Sequence, residues 1–512
     1  MEKKNLEYLA RLRKAMSEHG IDATVISGTD PHQSELPPHH WRGREWLTGF
    51  WSGNGTNGTA VVTADKALCW TDSRYFIQAE EQLKGTGFSM MKEDGPDAVD
   101  LIDWLTENMK AGQTVGIDGM TFSISYTQRM QQELADNDIK FNDNFPQFDY
   151  IYPERPERPK NKLFIHDEKI VGETVNSKME RLMAEVKNEF ANAVLLSALD
   201  DIAWATNLRT AGDIAFSPIF VAYLYINPSR KVLFIDREKI TDEVAEHLKK
   251  YSIEVEDYDK VIDFVRQLPK ETRLLLDPAK TSRGLYDNVA CTPVFGGSRL
   301  ARLKSVKNST MLKNLATAME KDGVALTRFF MHVEKEFPKG ELTEVGLGKT
   351  LRDLRLADKS CVDESFAPII GWNGHGAIVH YEATEETDAT ISGNGILLVD
   401  SGGQYTYGTT DITRTVALGD PTPEQRHDFT LVMKGHIALA MIKFPEGTRG
   451  AQLDVLARQY LWNDGKAYYH GTGHGVGFFI NCHEGPQSIR LNENPTPLEP
   501  GMITSNEPGL YL

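Results

Sequence analysis

The sequence predicts an α/β protein made of two related α/β modules followed by an α+β domain. Three observations carry that prediction. A helix-then-strands order occurs twice in the first three hundred residues, a proline-punctuated stretch separates the two occurrences, and an ordered set of metal-ligand motifs lies after both. A chain of 512 residues exceeds what one hydrophobic core organises, so several domains are expected. The divisions read at residues 1–158, 159–304 and 305–512.

The elements follow in order. Leu6, Leu9, Leu12 and Met16 share one helical face, Gly20 ends that helix, and Ala23–Ile26 is the first strand, followed by strands over 59–62 and 67–70. The run from Pro153 to Pro159 reads as a linker, because proline stiffens it and gives no donors to a sheet. A helix from Val175 to Phe190 and strands over 193–196, 220–225 and 231–235 repeat the earlier order, as a diverged internal duplication would. Near Leu303 the chain changes again, to a helix with Ser309 or Thr310 as cap and Leu312, Leu315, Met319, Leu326, Phe330 and Val333 on its buried side.

The third segment carries the chemistry. Ile396–Val399 is a short apolar strand with Asp400 at its end, Gly402, Gly403 and Gly408 permit a turn, and residues 409–416 alternate as a returning strand that carries Asp411. On such a hairpin both carboxylates face one point. His474 in Gly471-Thr-Gly-His-Gly-Val-Gly477 and Glu507 in Asn506-Glu-Pro-Gly509 follow. Taken singly, an Asp at a strand end is a turn residue or cap and Asn-Glu-Pro-Gly is a turn. In order, each beside glycines that admit close backbone approach, they form a ligand set. Three carboxylates and one imidazole suit divalent Mn, Co, Zn or Fe and offer no soft thiolate. So much negative charge calls for two ions, about 3.5–4 Å apart, as hydrolysis of an unactivated amide requires.

These strings, together with Leu398-Val-Asp-Ser-Gly-Gly-Gln-Tyr405, His483-Glu-Gly-Pro486, Thr29-Asp-Pro-His-Gln-Ser-Glu35, Trp70-Thr-Asp-Ser-Arg-Tyr-Phe76 and Leu199-Asp-Asp-Ile-Ala-Trp204, closely resemble the long, three-domain cytosolic Xaa-Pro aminopeptidases, also called the aminopeptidase P family. The resemblance covers essentially the whole chain. It implies a pita-bread catalytic domain of the creatinase/aminopeptidase type behind two creatinase-like modules, and cleavage of the first residue from peptides with proline second. It implies further that His380, after Ala377-Ile-Val379, emerges from a strand start into a cleft and serves the substrate with His483. His470 would line the same cavity, and His375 is left as a loop residue. Arg74, whose neutral reading is a pair with Asp72 or Glu80, would bind substrate at the mouth of the site, often the partner subunit's in a homodimer. One departure stands out: relatives continue past the Glu-Pro-Gly motif to a second, bridging glutamate, whereas this sequence ends at Leu512. The catalytic domain is accordingly expected to be incomplete at its C-terminus. A prolidase-like Xaa-Pro dipeptidase and a non-catalytic peptide-binding relative are the alternatives.

Composition narrows the class. A net charge of −17, from 56 basic and 73 acidic residues, disfavours a nucleic-acid surface. The opening residues lack a signal-peptide core and no stretch of about 18 apolar residues offers a membrane span, so a cytoplasmic protein is expected. Cys69, Cys291, Cys361 and Cys482 form no Cys-x-x-Cys pair, which argues against a disulfide framework or thiolate zinc site, and Cys482 reads as a small buried thiol.

Overall fold

The computed structural model describes residues 2–52 and 58–512. Two six-stranded sheets dominate its first three hundred residues. The first orders its strands Ser89–Lys92, Ala67–Thr71, Thr59–Thr63, Ala23–Ile26, Thr114–Gly116 and Lys140–Asn142. The second orders them Glu254–Glu256, Lys231–Phe234, Tyr223–Ile226, Ala193–Leu196, Arg273–Leu276 and Thr292–Phe295. In both, the fourth strand in that order pairs antiparallel with the third and parallel with the fifth. The duplication in the sequence is therefore a duplication of topology. Ala23–Ile26 and Ala193–Leu196 are buried at every position, so neither alternates: Ala193–Leu196 is wholly apolar, and the one polar residue of Ala23–Ile26, Thr24, donates its hydroxyl to the Gly116 carbonyl.

Local departures from the sequence reading have physical causes. The first helix, Glu2–His19, ends before Gly20 at φ +65° and buries Leu9, Leu12 and Met16, but Leu6 stays exposed. Phe190 lies beyond its helix, Val175–Asn188, at φ +58° and in solvent. The third strand of the second module starts at Tyr223 and not at Phe220. The proline-rich stretch is docked: Arg158 makes a two-pronged pair with Asp259 and lies over the Tyr258 ring.

The long helix is Ser309–Glu336, and its cap is Asn308, whose side chain accepts from the Met311 amide, in place of Ser309 or Thr310. Its buried face is Met311, Leu315, Ala318, Asp322, Ala325, Leu326, Phe329 and Val333, while Leu312 and Met319 are exposed. The face is rotated because it carries a charge: Asp322, fully buried, accepts two bonds from equally buried Arg355.

The strand Gly395–Ser401 pairs along its length with Ile412–Leu418 and on its other edge with Ile369–Trp372. The expected simple hairpin is a corner instead. Between the paired strands the chain leaves the sheet as Gly403–Tyr405 and Gly408–Thr409, which join Cys361–Glu364 in a second sheet. Gly402 permits the corner, since a Cβ there would stand 1.9 Å from the Thr410 carbonyl oxygen. The His474 motif lies on the two-stranded sheet of Gly473–Val476 and His483–Ile489, beside the helices Pro423–Met441 and Gly450–Trp462, and the Glu507 motif follows it in an irregular segment.

Candidate metal and peptide site

Asp400 is the penultimate residue of one strand, opposite Thr413, and Asp411 immediately precedes the strand that returns. A buried network fixes this corner. The Thr410 hydroxyl donates to Asp322 Oδ2 at 2.8 Å, its carbonyl accepts from Ser365, and Tyr405 donates to Asp322 Oδ1. Asp411 thus follows a residue tied to the Asp322–Arg355 pair. On the other side, Ser505 N donates to the His474 carbonyl and Glu507 N to that of Thr472, which draws the Asn506-Glu-Pro-Gly segment alongside the His474 strand. That strand has a bulge between His474 and Gly475, and a Cβ on Gly475 would stand 2.1 Å from the Glu484 carbonyl oxygen.

The result is a cluster. One ligand atom each from Asp411, His474 and Glu507 lie within 4.8 Å of one another, and His474 Nε2 is 3.2 Å from Asp411 and 3.1 Å from Glu507. Asp400 lines the same cavity and accepts from the Thr413 hydroxyl at 2.7 Å. Burial, then the charges of Asp411 and Glu507, pushes the Asp400 carboxyl up to about 8. Burial opposes the His474 cation, but bonds to Asp411 and Glu507 hold it well above the usual histidine range. Glu507 is likewise opposed by burial and pulled down to about 2 by His474 and Ser505. Hard anionic oxygens crowded around one imidazole fit divalent ions.

The cavity, about 80 Å³, is roofed by both modules: Glu35 and Leu36 come from the first, and Ile214, Ser217 and Ile219 from the second. Phe366, Ile369, Asn481 and Cys482 complete its wall. His483 Nδ1 is 2.5 Å from Glu35 Oε1, and the His483 ring stands edge-on to that of His474 at 4.3 Å between centroids. Burial raises the Glu35 carboxyl, but His483 and Arg74 outweigh it and leave the net shift downward. His380 lines the cavity, with Nδ1 2.6 Å from the Tyr75 hydroxyl. It follows a short 3₁₀ helix, Asn373–Ala377, and sits in a turn, not at a strand start. Its loop is held by Glu344, fully buried, which accepts from Trp372 N, Ala389 N, the Tyr381 hydroxyl and His375 Nδ1. His375 is therefore a loop residue with a fixed partner.

Two predicted residues are not among those lining the cavity. His470 lies behind it between Tyr468 and Tyr511, with Nδ1 on the Gly471 carbonyl and a buried Nε2 that meets no hydrogen-bond partner among the described residues. Arg74 makes the neutral pair, two bonds to Asp72 at 2.8 and 2.9 Å. Its neighbour Tyr75 reaches His380 of the same chain, so this motif approaches its own cavity. Cys482 is buried, with Sγ 3.5 Å from Asp411, and burial first, then Asp411, keeps the thiol well above its usual range.

Residues 9–146 and again 154–311 match the creatinase/prolidase N-terminal domain, and residues 313–512 match metallopeptidase family M24. Aminopeptidase P2 of Arabidopsis thaliana is 37% identical over 543 residues, spanning 99% of this chain and 76% of the plant protein. The chain belongs to the Xaa-Pro aminopeptidases of metallopeptidase family M24. Xaa-Pro aminopeptidase 1 of Dictyostelium discoideum is 36% identical over 98% of the chain and 81% of its own length. A solved X-prolyl aminopeptidase of Caenorhabditis elegans, described as a cytosolic enzyme with a di-nuclear active site, superimposes with a TM-score of 0.93 at 31% identity over 99% of this chain and 85% of that one. A Xaa-Pro dipeptidase from Bacillus anthracis, at TM-score 0.55 and 21% identity, shares the fold over 66% of the chain. The fold is thus two creatinase-type modules ahead of a pita-bread hydrolase domain. Among the described residues no helix is long and apolar enough to cross a membrane.

Sequence reasoning gave no role to Glu35, Tyr75 or Glu344. The first two stand inside motifs that carry the family resemblance, so the signal was present. Glu344 had none, because its partners lie 28 to 45 residues away.

Proposed function

We propose that this chain removes the first residue from peptides with proline at the second position, with Asp400, Asp411, His474 and Glu507 holding two divalent ions. The observation that carries the reading is the meeting of Asp411, His474 and Glu507 within 4.8 Å, on the wall of a cavity that also holds His380 and His483. When bound, a metal pair supplies a water of lowered pKa and polarises the scissile carbonyl. The residues of this chain do the rest. His483, oriented by Glu35, faces the ion side of the cavity, where it can hold a substrate oxygen as charge develops. His380 faces the peptide, and His470, behind Glu507 and against Tyr511, supports the ligand wall without touching substrate. Leu36, Ile214 and Ile219 give an apolar surface to a substrate bond that, before proline, lacks an N–H. Arg74, fixed in position by its two bonds to Asp72, meets the downstream end of the peptide. Mn(II) as the metal, a homodimer, a cytoplasmic location and the divisions at 158 and 304 belong to the same proposal, the location resting on the nematode relative.

Metal analysis combined with turnover of a Xaa-Pro-Xaa tripeptide and a Xaa-Pro dipeptide tests this. Two ions per chain and cleavage of the tripeptide alone are expected. Equal or preferred cleavage of the dipeptide replaces the reading with a prolidase, and bound metal without turnover replaces it with a peptide-binding relative. Asp411→Ala or His474→Ala should lose metal while remaining folded, and full retention overturns the ligand assignment.

A further inference from the structure

Among the side chains facing the cavity, His380 is held from behind by a residue of a different folding unit. Tyr75 belongs to the first module, 305 residues earlier in sequence, and its side chain is fully buried. Its hydroxyl is 2.6 Å from His380 Nδ1, and the two rings cross edge-on at 88° with centroids 5.1 Å apart. Nδ1 is therefore committed, and Nε2 is the nitrogen left for the cavity. Which group donates follows from acid–base chemistry. A phenol is a stronger acid than a neutral imidazole N–H, and an imidazole nitrogen is a better acceptor than a phenol oxygen, so O–H···N is the favoured sense. The surroundings keep the ring neutral: burial first, then Arg74 and the neighbouring histidines, hold His380 well below the usual histidine range. In a neutral imidazole, the bond made by one nitrogen decides the state of the other.

We propose that Tyr75 is a positioning residue that donates to His380 Nδ1 and fixes the Nε2–H tautomer, so that His380 meets the peptide as a hydrogen-bond donor. This rests on the aminopeptidase reading for its consequence, and on the observed pair for its chemistry. A ring with Nε2 protonated has no lone pair there to accept with, so toward the peptide its role is that of a donor. The pair also makes the first module a participant: with Tyr75 absent from behind His380, the ring is free to take either tautomer and to rotate.

The test uses the full chain carrying ¹⁵N-labelled histidine and loaded with diamagnetic Zn(II), with the His380 signals identified by their absence in His380→Gln. At neutral pH the parent is expected to show His380 as the Nε2–H tautomer, and Tyr75→Phe, which keeps the buried ring, to show a mixture. An Nδ1–H tautomer or an imidazolium in the parent overturns the proposal, as does an unchanged tautomer in Tyr75→Phe. A kinetic arm adds a second criterion. Tyr75→Phe should lower kcat on the tripeptide by about tenfold with little change in KM and unchanged metal content, and should cost nothing further in a His380→Ala background. Full additivity of the two substitutions would show that Tyr75 acts independently of His380 and overturn it. A parent chain that fails to cleave the tripeptide overturns the aminopeptidase reading alone, because the tautomer measurement needs no turnover.

Discussion

At the scale of single residues, the site depends on buried charges remote from the peptide. Asp322 and Arg355 are both fully buried and paired at 2.6 Å, and Asp322 also takes the hydroxyl of Thr410, the residue before Asp411. Arg355→Met would leave a carboxylate without its cation in a low-dielectric interior. The expected cost is about 3–5 kcal/mol, read by denaturant unfolding. Removing only the bond to the ligand corner is a milder change: Thr410→Val should keep most of the stability and weaken metal affinity by about 10–100-fold in chelator competition. Equal affinity in Thr410→Val and the parent would mean that the corner holds Asp411 without it.

At the scale of elements, the glycines of the His474 motif act by letting strands touch. Gly475 is the clearest instance, its missing Cβ leaving room for the Glu484 carbonyl. Gly475→Ala should cost about 1–3 kcal/mol and displace His474 enough to reduce bound metal, checked by melting and metal analysis of the same sample. Such local chemistry is what the sequence exposes most readily. Asp400, Asp411, His474 and Glu507 are each flanked by residues that announce a turn or close approach, and central strands such as Ala193–Leu196 and Lys231–Phe234 are mostly apolar and of strand length. What stayed hidden was set by partners distant in sequence. The long helix rotates its buried face because Asp322 has Arg355 33 residues away, and an apolar-periodicity reading has no place for a buried aspartate. The hairpin became a corner because Gly403–Tyr405 finds Cys361–Glu364, a pairing that neither strand encodes alone. His380 was placed on a strand because its apolar neighbours resemble one, whereas Glu344 gathers that loop into a turn.

At the scale of the whole molecule, a line of buried charge joins the second module to the peptide-facing strand. Lys304 pairs with Asp200 and, at 2.7 Å, with Asp201, both in the Leu199–Trp204 motif. Lys307 donates to the Lys304 carbonyl and pairs with Glu484, the neighbour of His483. Buried Arg209 reaches across the same boundary to the Phe479 carbonyl. Lys304→Met should strand two aspartates and loosen this junction. The expected result is an unfolding transition that different probes no longer report as coincident, together with a loss of about 3–5 kcal/mol in the segment that unfolds first. Coincident transitions at the parent midpoint would show that the modules are coupled elsewhere.

The pairing of Glu35 with His483 has a temporal consequence. The two residues are 448 positions apart, among the longest closures in the chain, while the proposed ligands Asp400, Asp411, His474 and Glu507 all lie in the segment that matches family M24. During synthesis the modules emerge and fold first, and the metal cluster assembles from chain made much later. The contact between Glu35 and His483 then closes over it, when both ends of the molecule have found each other. In the proposed mechanism a chain arrested before that closure lacks the Glu35 partner that aims His483, so competence to cut peptides arrives last.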